Sequence, residues 1–418
     1  MEKDGITKML HDMVSLENIN QAADLLKDVA RRTDLIKASN LGFDENTHDV
    51  YLKTENLQTT GSFKLRGAYY KISQLSNEQK RAGIIACSAG NHAQGVALAA
   101  RKMIIPCVIC MPDGAPLSKV EATRALGAKV VLVKGTYDDA YKHALRMQEE
   151  SGATFIHPFD DEAVIEGQGT VGLEILDQLA DVEAVVVPVG GGGLIAGLAF
   201  ALKSINPDIK IYGVQAELAP SMKESIQSGS AVTLGSVSTF ADGIAVKTPG
   251  AKTFSLVQKY VDDIVSVSED EIAAAILALM EKEKLIAEGA GAVSVAAIMF
   301  DKLPIQGKKT VCIVSGGNID VNILSRVITR GLVTSGRNAT LHIALEDKPG
   351  QLVSVSTIIS EHGGNVVNVH YSGSDPNMAI ASCYLTIGLE TKDFEHIEKI
   401  KNALKKAGFQ LKSSLNSA

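Results

Sequence analysis

Residues 184–197 read Ala184-Val185-Val186-Val187-Pro188-Val189-Gly190-Gly191-Gly192-Gly193-Leu194-Ile195-Ala196-Gly197. A short β-branched run, suited to a buried strand, passes into four glycines and then into an apolar helical stretch. Consecutive glycines let successive backbone N–H groups turn inward as an anion nest, and the following helix adds its positive end. The chemistry is that of a phosphate cradle. It is not a Walker loop, because no Gly-Lys-Ser/Thr follows, and a pattern begun at Gly190 lacks the third glycine of the dinucleotide fingerprint. A tight strand-to-helix turn alone needs fewer than four glycines.

Outward from this point, short β-branched runs alternate with helical patterns from about residue 48 to about residue 330, the signature of an α/β protein on parallel sheet. Strands are expected at Val50 to Lys53, Gly83 to Cys87, Ile104 to Met111, Lys129 to Val133, Thr154 to Ile156, Ala184 to Val189, Lys210 to Val214, Ile264 to Val267 and Thr310 to Val314. Pro158 and Gly167 punctuate the step out of the first group. That predicts two lobes, the smaller at about 50–157, with ligands bound beyond the strands' carboxyl ends.

After Arg330 the pattern changes. Residues 331–338 read as a connector; then come strand (Ala339 to Glu346), turn (Asp347-Lys348-Pro349-Gly350), helix (Gln351 to His362), strands (Asn365 to Tyr371 and Ala379 to Ile387), helix (Phe394 to Ala407) and a short final strand. The order βαββαβ predicts a ferredoxin-like domain over 339–418, following a catalytic domain over 1–330. A length of 418 residues suits two or three domains at roughly 150 each.

Composition excludes several classes. With 41 Lys+Arg against 48 Asp+Glu, a formal net charge of -7 and no basic run, nucleic acid is not an expected partner. The N-terminal Met1-Glu2-Lys3-Asp4 opens a polar stretch without an apolar signal region, and no apolar segment approaches the roughly 20 residues of a membrane span, so a cytoplasmic chain is expected. Five scattered cysteines form no disulfide framework. Cys107 and Cys110 make a CxxC, but within an apolar strand an offset of three sends the sulfurs to opposite faces, so the pair reads as core. No HExxH, GxSxG or clustered metal-ligand set is present, and no metal is expected.

Three more loops join strand to helix. In Thr59-Thr60-Gly61-Ser62-Phe63-Lys64-Leu65-Arg66-Gly67-Ala68, Ser62 is placed to cap a helix whose first turn holds Lys64 between apolar neighbours. A lysine so placed, facing a cleft, loses hydration and becomes a nucleophilic amine, although a solvated side chain is the ordinary fate of a helical lysine. Ser88-Ala89-Gly90-Asn91-His92 and Ser315-Gly316-Gly317-Asn318 offer free N–H groups at helix starts, which suit a carboxylate. His92 reads first as a capping or packing residue.

In this order, Gly61 to Ala68, Ser88-Ala89-Gly90-Asn91-His92-Ala93-Gln94-Gly95, glycines 190 to 193 and Ser315 to Asn318 resemble the motifs of the pyridoxal 5'-phosphate enzymes of the tryptophan synthase β type, and among them the threonine ammonia-lyases (threonine dehydratases). The resemblance covers about residues 15 to 330. The tail, with Asp347-Lys348-Pro349-Gly350-Gln351-Leu352 at its first turn, resembles an ACT domain.

The resemblance implies a two-lobed α/β fold and residue roles. Lys64 would carry the cofactor aldehyde and serve as catalytic base; Phe63 would pack on the ring, Asn91 bond the phenolic oxygen, and Ser315 meet the pyridine nitrogen. Gly190, Gly191, Gly192, Gly193 and Leu194 would hold the phosphate, and Ser88, Ala89, Gly90, Asn91 and His92 the substrate carboxylate. It implies deamination of L-threonine to 2-oxobutanoate, slower action on L-serine, and a homotetramer with isoleucine or valine bound near Gly350, Leu352 and Asn365. Racemases of this type carry a serine where Ala89 stands, and acidic metal ligands near Gln215 and Ser221. Rival readings are a serine dehydratase or racemase, a sulfide-using synthase, and an amino-acid sensor on an inactive scaffold.

Overall fold

The computed structural model of the chain describes residues 14–41, 43, 49–372 and 382–412. Met1 to Asp4, the start of the strand expected from Ala379 and residues 413–418 lie outside these. Two compact units divide the chain, Met1–Ile323 and Leu324–Ala418.

In the first unit, one sheet joins β1 (Leu35–Lys37), β2 (Asp49–Lys53), β7 (Ala184–Pro188), β8 (Lys210–Ala216), β9 (Asp263–Val267) and β10 (Lys309–Ile313) in the order β1-β2-β10-β7-β8-β9. Only the β1/β2 pair in it is antiparallel. A second, parallel sheet runs β5-β4-β3-β6, from β3 (Ile84–Cys87), β4 (Cys107–Pro112), β5 (Lys129–Val133) and β6 (Thr154–Phe155). The central runs β3, β7, β8 and β10 are buried on both faces, as parallel strands covered by helices must be, while the edge strand β5 is partly exposed.

The smaller lobe packs α2 (Lys64–Ser73), α3 (Asn91–Met103) and α4 (Leu117–Ala125) on one face of its sheet through Leu65, Ile72, Val96, Val120 and Met111, and α5 (Tyr137–Ser151) on the other through Ala140 and Ala144. Cys107 belongs to the first core and Cys110 to the second, so their sulfurs point to opposite faces, as the strand reading required. In the larger lobe α1 (Leu16–Leu26), α6 (Glu162–Gln178), α7 (Gly193–Ile205) and α8 (Ala251–Tyr260) cover one face, while α9 (Gly289–Met299) lies on the other.

Several sequence expectations require correction. The strand Asp49–Lys53 pairs with β10 in the larger sheet, so the smaller lobe's sheet begins at Ile84, not near residue 50. Strand β4 begins at Cys107, not Ile104: Ile104 closes α3 in the left-handed conformation, and Pro106 has no N–H to give a ladder. Gly167 does not break the chain. It sits inside α6, where a Cβ would lie 2.6 Å from the Cα of Gly67. On the other side of α6, a Cβ on Gly197 would lie 2.1 Å from the carbonyl oxygen of Ile165. Helices α2, α6 and α7 therefore meet backbone to backbone, which glycine alone permits.

The junction of α2, α6 and the end of β2 is charged and buried. Arg66 Nη2 donates to Glu55 Oε1 at 2.8 Å and its Nη1 to Glu174 Oε1 at 2.7 Å, while Lys53 Nζ reaches Glu174 Oε2 at 2.6 Å. Burial alone would raise the Glu55 carboxyl; the Arg66 guanidinium, then Lys53 and the Thr33 hydroxyl, hold it below its ordinary range.

The boundary between the units falls within α10 (Val321–Thr334), a helix that runs through the first half of the expected connector. Gly331 is one tolerated helical glycine; the chain turns at Gly336, whose φ is +69. Then come β11 (Asn338–Glu346), α11 (Gln351–Glu361), β12 (Asn365–Ser372), β13 (Ser382–Glu390), α12 (Phe394–Lys406) and β14 (Gln410–Lys412), an antiparallel sheet ordered β12-β13-β11-β14. This is the βαββαβ unit, with Ile343, Leu385, Ile387, Val355, Ile359 and Ile400 in its own core.

Arg66→Ala should destabilise the catalytic unit by about 3–5 kcal/mol, because it leaves the Glu55 carboxylate buried without its partner. A urea titration of the cofactor-free protein that matched wild type would contradict this account of the junction.

Candidate active site

The strand order β2-β10-β7 places three loops side by side at one end of the larger sheet: residues 54–63, 314–318 and 189–193. Phe63 N donates to Ser315 O at 3.2 Å and Gly317 N to Gly61 O at 2.8 Å. Opposite them, β3 of the smaller lobe ends in Ser88-Ala89-Gly90 and enters α3 at Asn91. Between the lobes lies a cavity of about 700 Å³. Phe63, Lys64, residues 88–92, 190–194 and Ser315 all line it, so every candidate cofactor and substrate residue converges there.

Lys64 opens α2, but Ser62 does not cap that helix. Phe63 takes the N-cap place in a helical conformation, and Ser62 Oγ is buried without a hydrogen-bond partner. Lys64 Nζ donates to the Pro158 carbonyl at 2.9 Å and stands 5.3 Å from the centre of the Phe63 ring. Its exposed surface belongs to the cavity wall. Burial lowers its pKa to about 8 against a smaller opposing pull from Glu288, so the neutral amine is accessible near neutral pH.

The four-glycine turn leads into α7, whose first N–H groups have no partner within the helix. A Cβ on Gly191 would lie 2.4 Å from the Phe159 ring, and one on Gly192, where φ is +95, 2.6 Å from Met222. The turn accepts no side chain. Thr253 Oγ1 fastens it by donating to Gly191 O at 2.6 Å. Backbone donors at a helix start, a lysine of lowered pKa and a hydroxyl at Ser315 form the donor set that a phosphorylated pyridine aldehyde needs, and the cavity is of the size that holds a cofactor with its substrate. The residues fit pyridoxal phosphate.

In the second loop, Gly90 N donates to Ser88 Oγ at 3.2 Å, and the N–H groups of Asn91, His92 and Ala93 begin α3. His92 lines the cavity, yet its Nε2 lies 2.8 Å from Ile156 O, and burial followed by the Lys64 charge lowers its pKa to about 3. The ring is neutral and committed to Ile156. The side chain therefore packs the loop, and only its N–H remains for an anion.

Glu288, the N-cap residue of α9 and 3% exposed, was not among the residues expected from the sequence. Asn91 Nδ2 donates to Glu288 Oε1 at 2.5 Å, and Asn318 Nδ2 donates both to Asn91 Oδ1 at 2.7 Å and to Thr60 O at 2.8 Å. One chain of amides thus fixes Asn91 from three loops. The signal was a lone carboxylate in the run Ala287-Glu288-Gly289-Ala290-Gly291. Lys119 and Asp242, an ion pair from opposite lobes, also line the cavity and were missed. Gln215, buried, donates to Val189 O and accepts from Lys223 N; Ser221 Oγ is buried without a partner. In the second unit Gly350 precedes α11 with φ +89, Leu352 is 40% exposed, and Asn365 Nδ2 donates to Glu390 at 2.7 Å.

A family model described as pyridoxal-phosphate dependent enzyme matches residues 26–316, and one described as ACT domain matches residues 334–407. An L-threonine ammonia-lyase of Thermotoga maritima is 51% identical over 96% of this chain and 99% of its own. Among solved structures, the processed form of threonine deaminase isoform 2 from Solanum lycopersicum has a TM-score of 0.71 at 43% identity, covering 75% of this chain and 87% of that one. Maize serine racemase has a TM-score of 0.72 at 34% identity, covering 77% and 99%.

Burial, then the Asp242 carboxylate, raises the Glu288 pKa to about 7 from 4.5, against Lys119, Asn91 and Lys64. Between those values only the folded chain keeps the proton, so folding weakens as pH rises across that window. In cofactor-free protein, Glu288→Gln should remove on the order of 3 kcal/mol of that pH dependence. Parallel slopes for the two proteins, measured by urea denaturation from about pH 4.5 to 7.5, would contradict it.

Proposed function

The chain belongs to the pyridoxal-phosphate dependent enzymes and carries an ACT domain after the catalytic unit, and from that premise we infer that it is an L-threonine ammonia-lyase, converting L-threonine to 2-oxobutanoate and ammonia. The observation that carries the reading is the meeting, in one cavity, of Lys64, the four-glycine turn and the Ser88–His92 loop. Pyridoxal phosphate, when bound, supplies an electron sink for the charge left as the substrate's α-proton departs.

The chain's residues do the rest. Lys64 would hold the cofactor aldehyde and, once displaced by the substrate amine, take the α-proton; its lowered pKa keeps a free amine available. Gly190 to Leu194 would bind the phosphate and Phe63 pack against the ring. Asn91, fixed by Glu288 and Asn318, would bond the phenolic oxygen. The Ser315 hydroxyl would meet the ring nitrogen without imposing a charge on it. The N–H groups opening α3 would receive the substrate carboxylate. Loss of the β-hydroxyl as water and hydrolysis of the remaining enamine complete the deamination.

An ACT domain implies a small amino-acid effector. We propose isoleucine or valine near Gly350, Leu352 and Asn365, a cytoplasmic homotetramer, and a role in isoleucine synthesis. The edge strand β12 supports pairing with a second copy, for Val367, Val369 and Tyr371 stand exposed on it.

The test is 2-oxobutanoate formation from L-threonine. Lys64→Ala should lower turnover by at least about a hundredfold, and L-serine, one methyl shorter, should react about 10- to 200-fold less efficiently. Isoleucine should shift threonine affinity, and threonine should shift isoleucine affinity by the same factor. Kinetics unchanged by both isoleucine and valine would remove the effector assignment. Because Ala89 has no proton to give, D-serine should stay a trace product from L-serine; near-equal L- and D-serine would overturn that expectation.

A further inference from the structure

The cavity contains a cation that the mechanism above does not use. Three ammonium groups line it, from Lys64, Lys119 and Lys247. Lys64 is committed to the cofactor. Lys247 sits half-exposed, 3.3 Å from Asp138. Lys119 is different: it lies in the first turn of α4 with its side chain 10% exposed, and its partner Asp242 comes from the other lobe with its side chain 58% exposed.

That asymmetry has a physical consequence. A buried ammonium needs a counter-charge at all times, because removing its partner leaves an uncompensated charge in low dielectric. An exposed carboxylate can turn to water at little cost. The pair is therefore built for partner exchange on the Lys119 side. The ammonium also points at the right place: a Cβ on Gly90 would lie 4.0 Å from Lys119 Nζ, and Gly90 is the residue at which the free N–H groups of α3 begin.

We propose that Lys119 is a binding residue for the α-carboxylate of the amino-acid substrate, held by Asp242 before substrate binds and transferred to the substrate's carboxylate when threonine enters. The proposal rests on the reading that the Ser88–His92 loop receives that carboxylate. The substrate anion then lies between the α3 helix start and the Lys119 ammonium, and Asp242 is released to solvent. The negative charge brought in replaces the one that leaves, so the environment of Glu288, which both Asp242 and Lys119 influence, changes little on binding.

The test uses the cofactor-loaded full chain and three variants, Lys119→Met, Lys119→Arg and Asp242→Asn. Steady-state kinetics with L-threonine are combined with inhibition constants for two unreactive amines. L-2-aminobutyrate keeps the carboxylate and lacks the leaving hydroxyl; 1-amino-2-propanol keeps the hydroxyl and lacks the carboxylate. A charge-assisted hydrogen bond of ordinary strength predicts that Lys119→Met raises KM for threonine and weakens L-2-aminobutyrate by about 10- to 100-fold, with kcat within about threefold. Binding of 1-amino-2-propanol should stay within about twofold of wild type, and Lys119→Arg should recover most of the loss. Asp242→Asn, which removes the competitor, should lower KM. Equal weakening of both amines by Lys119→Met, or a KM that rises in Asp242→Asn as it does in Lys119→Met, would make the pair a structural latch between lobes and overturn the proposal. Wild type that binds L-2-aminobutyrate but leaves threonine unchanged would overturn the activity instead, and the comparison of the two amines would still decide Lys119.

Discussion

The position of Lys64 depends on a buried set of four charges two residues away. Arg66, Glu55, Glu174 and Lys53 are balanced, two of each sign, and join the end of β2, the first turn of α2 and the C-terminal part of α6. Taking them out of water is expensive, and their mutual attraction does little more than offset that cost. What the set secures is position. A shift of α2 along its axis would strand at least one charge, so the register of the helix that begins at Lys64 is fixed against the larger sheet. The glycine contacts act in the same sense: with Gly67 against α6 and α6 against Gly197, three helices have no freedom to approach or roll.

Burial then sets the electrostatics of the cavity. It lowers Lys64 to about 8, raises Glu288 to about 7 and holds His92 neutral. Each shift disfavours a charge, and on the proposed roles fixed dipoles would share the recognition of anions with the Lys119 ammonium. The helix starts of α3 and α7 supply those dipoles from opposite lobes, one facing the loop proposed for a carboxylate and the other the turn proposed for a phosphate. Such donors need no counter-ion of their own, whereas the buried Lys119 ammonium is paired with Asp242.

Much of this was legible in the sequence because its signals were local. The four-glycine turn, the strand-to-helix loops and the two-face separation of Cys107 and Cys110 follow from residues a few positions apart. What was not legible depends on contacts across long separations. The hydrogen bond from Asn91 to Glu288 spans 197 residues, and that from Asn318 to Asn91 spans 227; no periodicity announces either. Gly167 looked like a breaker because a glycine needed for backbone contact has the same letter as one needed for a turn. Ser62 looked like a cap because it precedes a helix, yet the loop's bridge to Gly316 turns its hydroxyl inward. Strand β2 was recognised as a strand but assigned to the wrong sheet, since partner choice depends on β10, more than two hundred residues away.

The same fold serves racemases and lyases, so the fold cannot choose the reaction. On the proposed roles, the choice rests on how many proton-handling groups face the substrate. Lys64 approaches from one side, with Phe63 beneath it. Ala89 lines the cavity from the loop that follows β3 and offers only a methyl group. On those roles a proton removed by Lys64 would find no donor in the Ala89 side chain, and the charge left behind would be relieved by expelling the β-hydroxyl rather than by reprotonation from that position. Ser315 would work toward the same end: a hydroxyl beside the ring nitrogen would not force a charge on it, leaving more of the negative charge to expel the leaving group. On the proposed roles, two small residues lining one cavity would favour elimination, in a framework whose large-scale geometry is neutral between the outcomes.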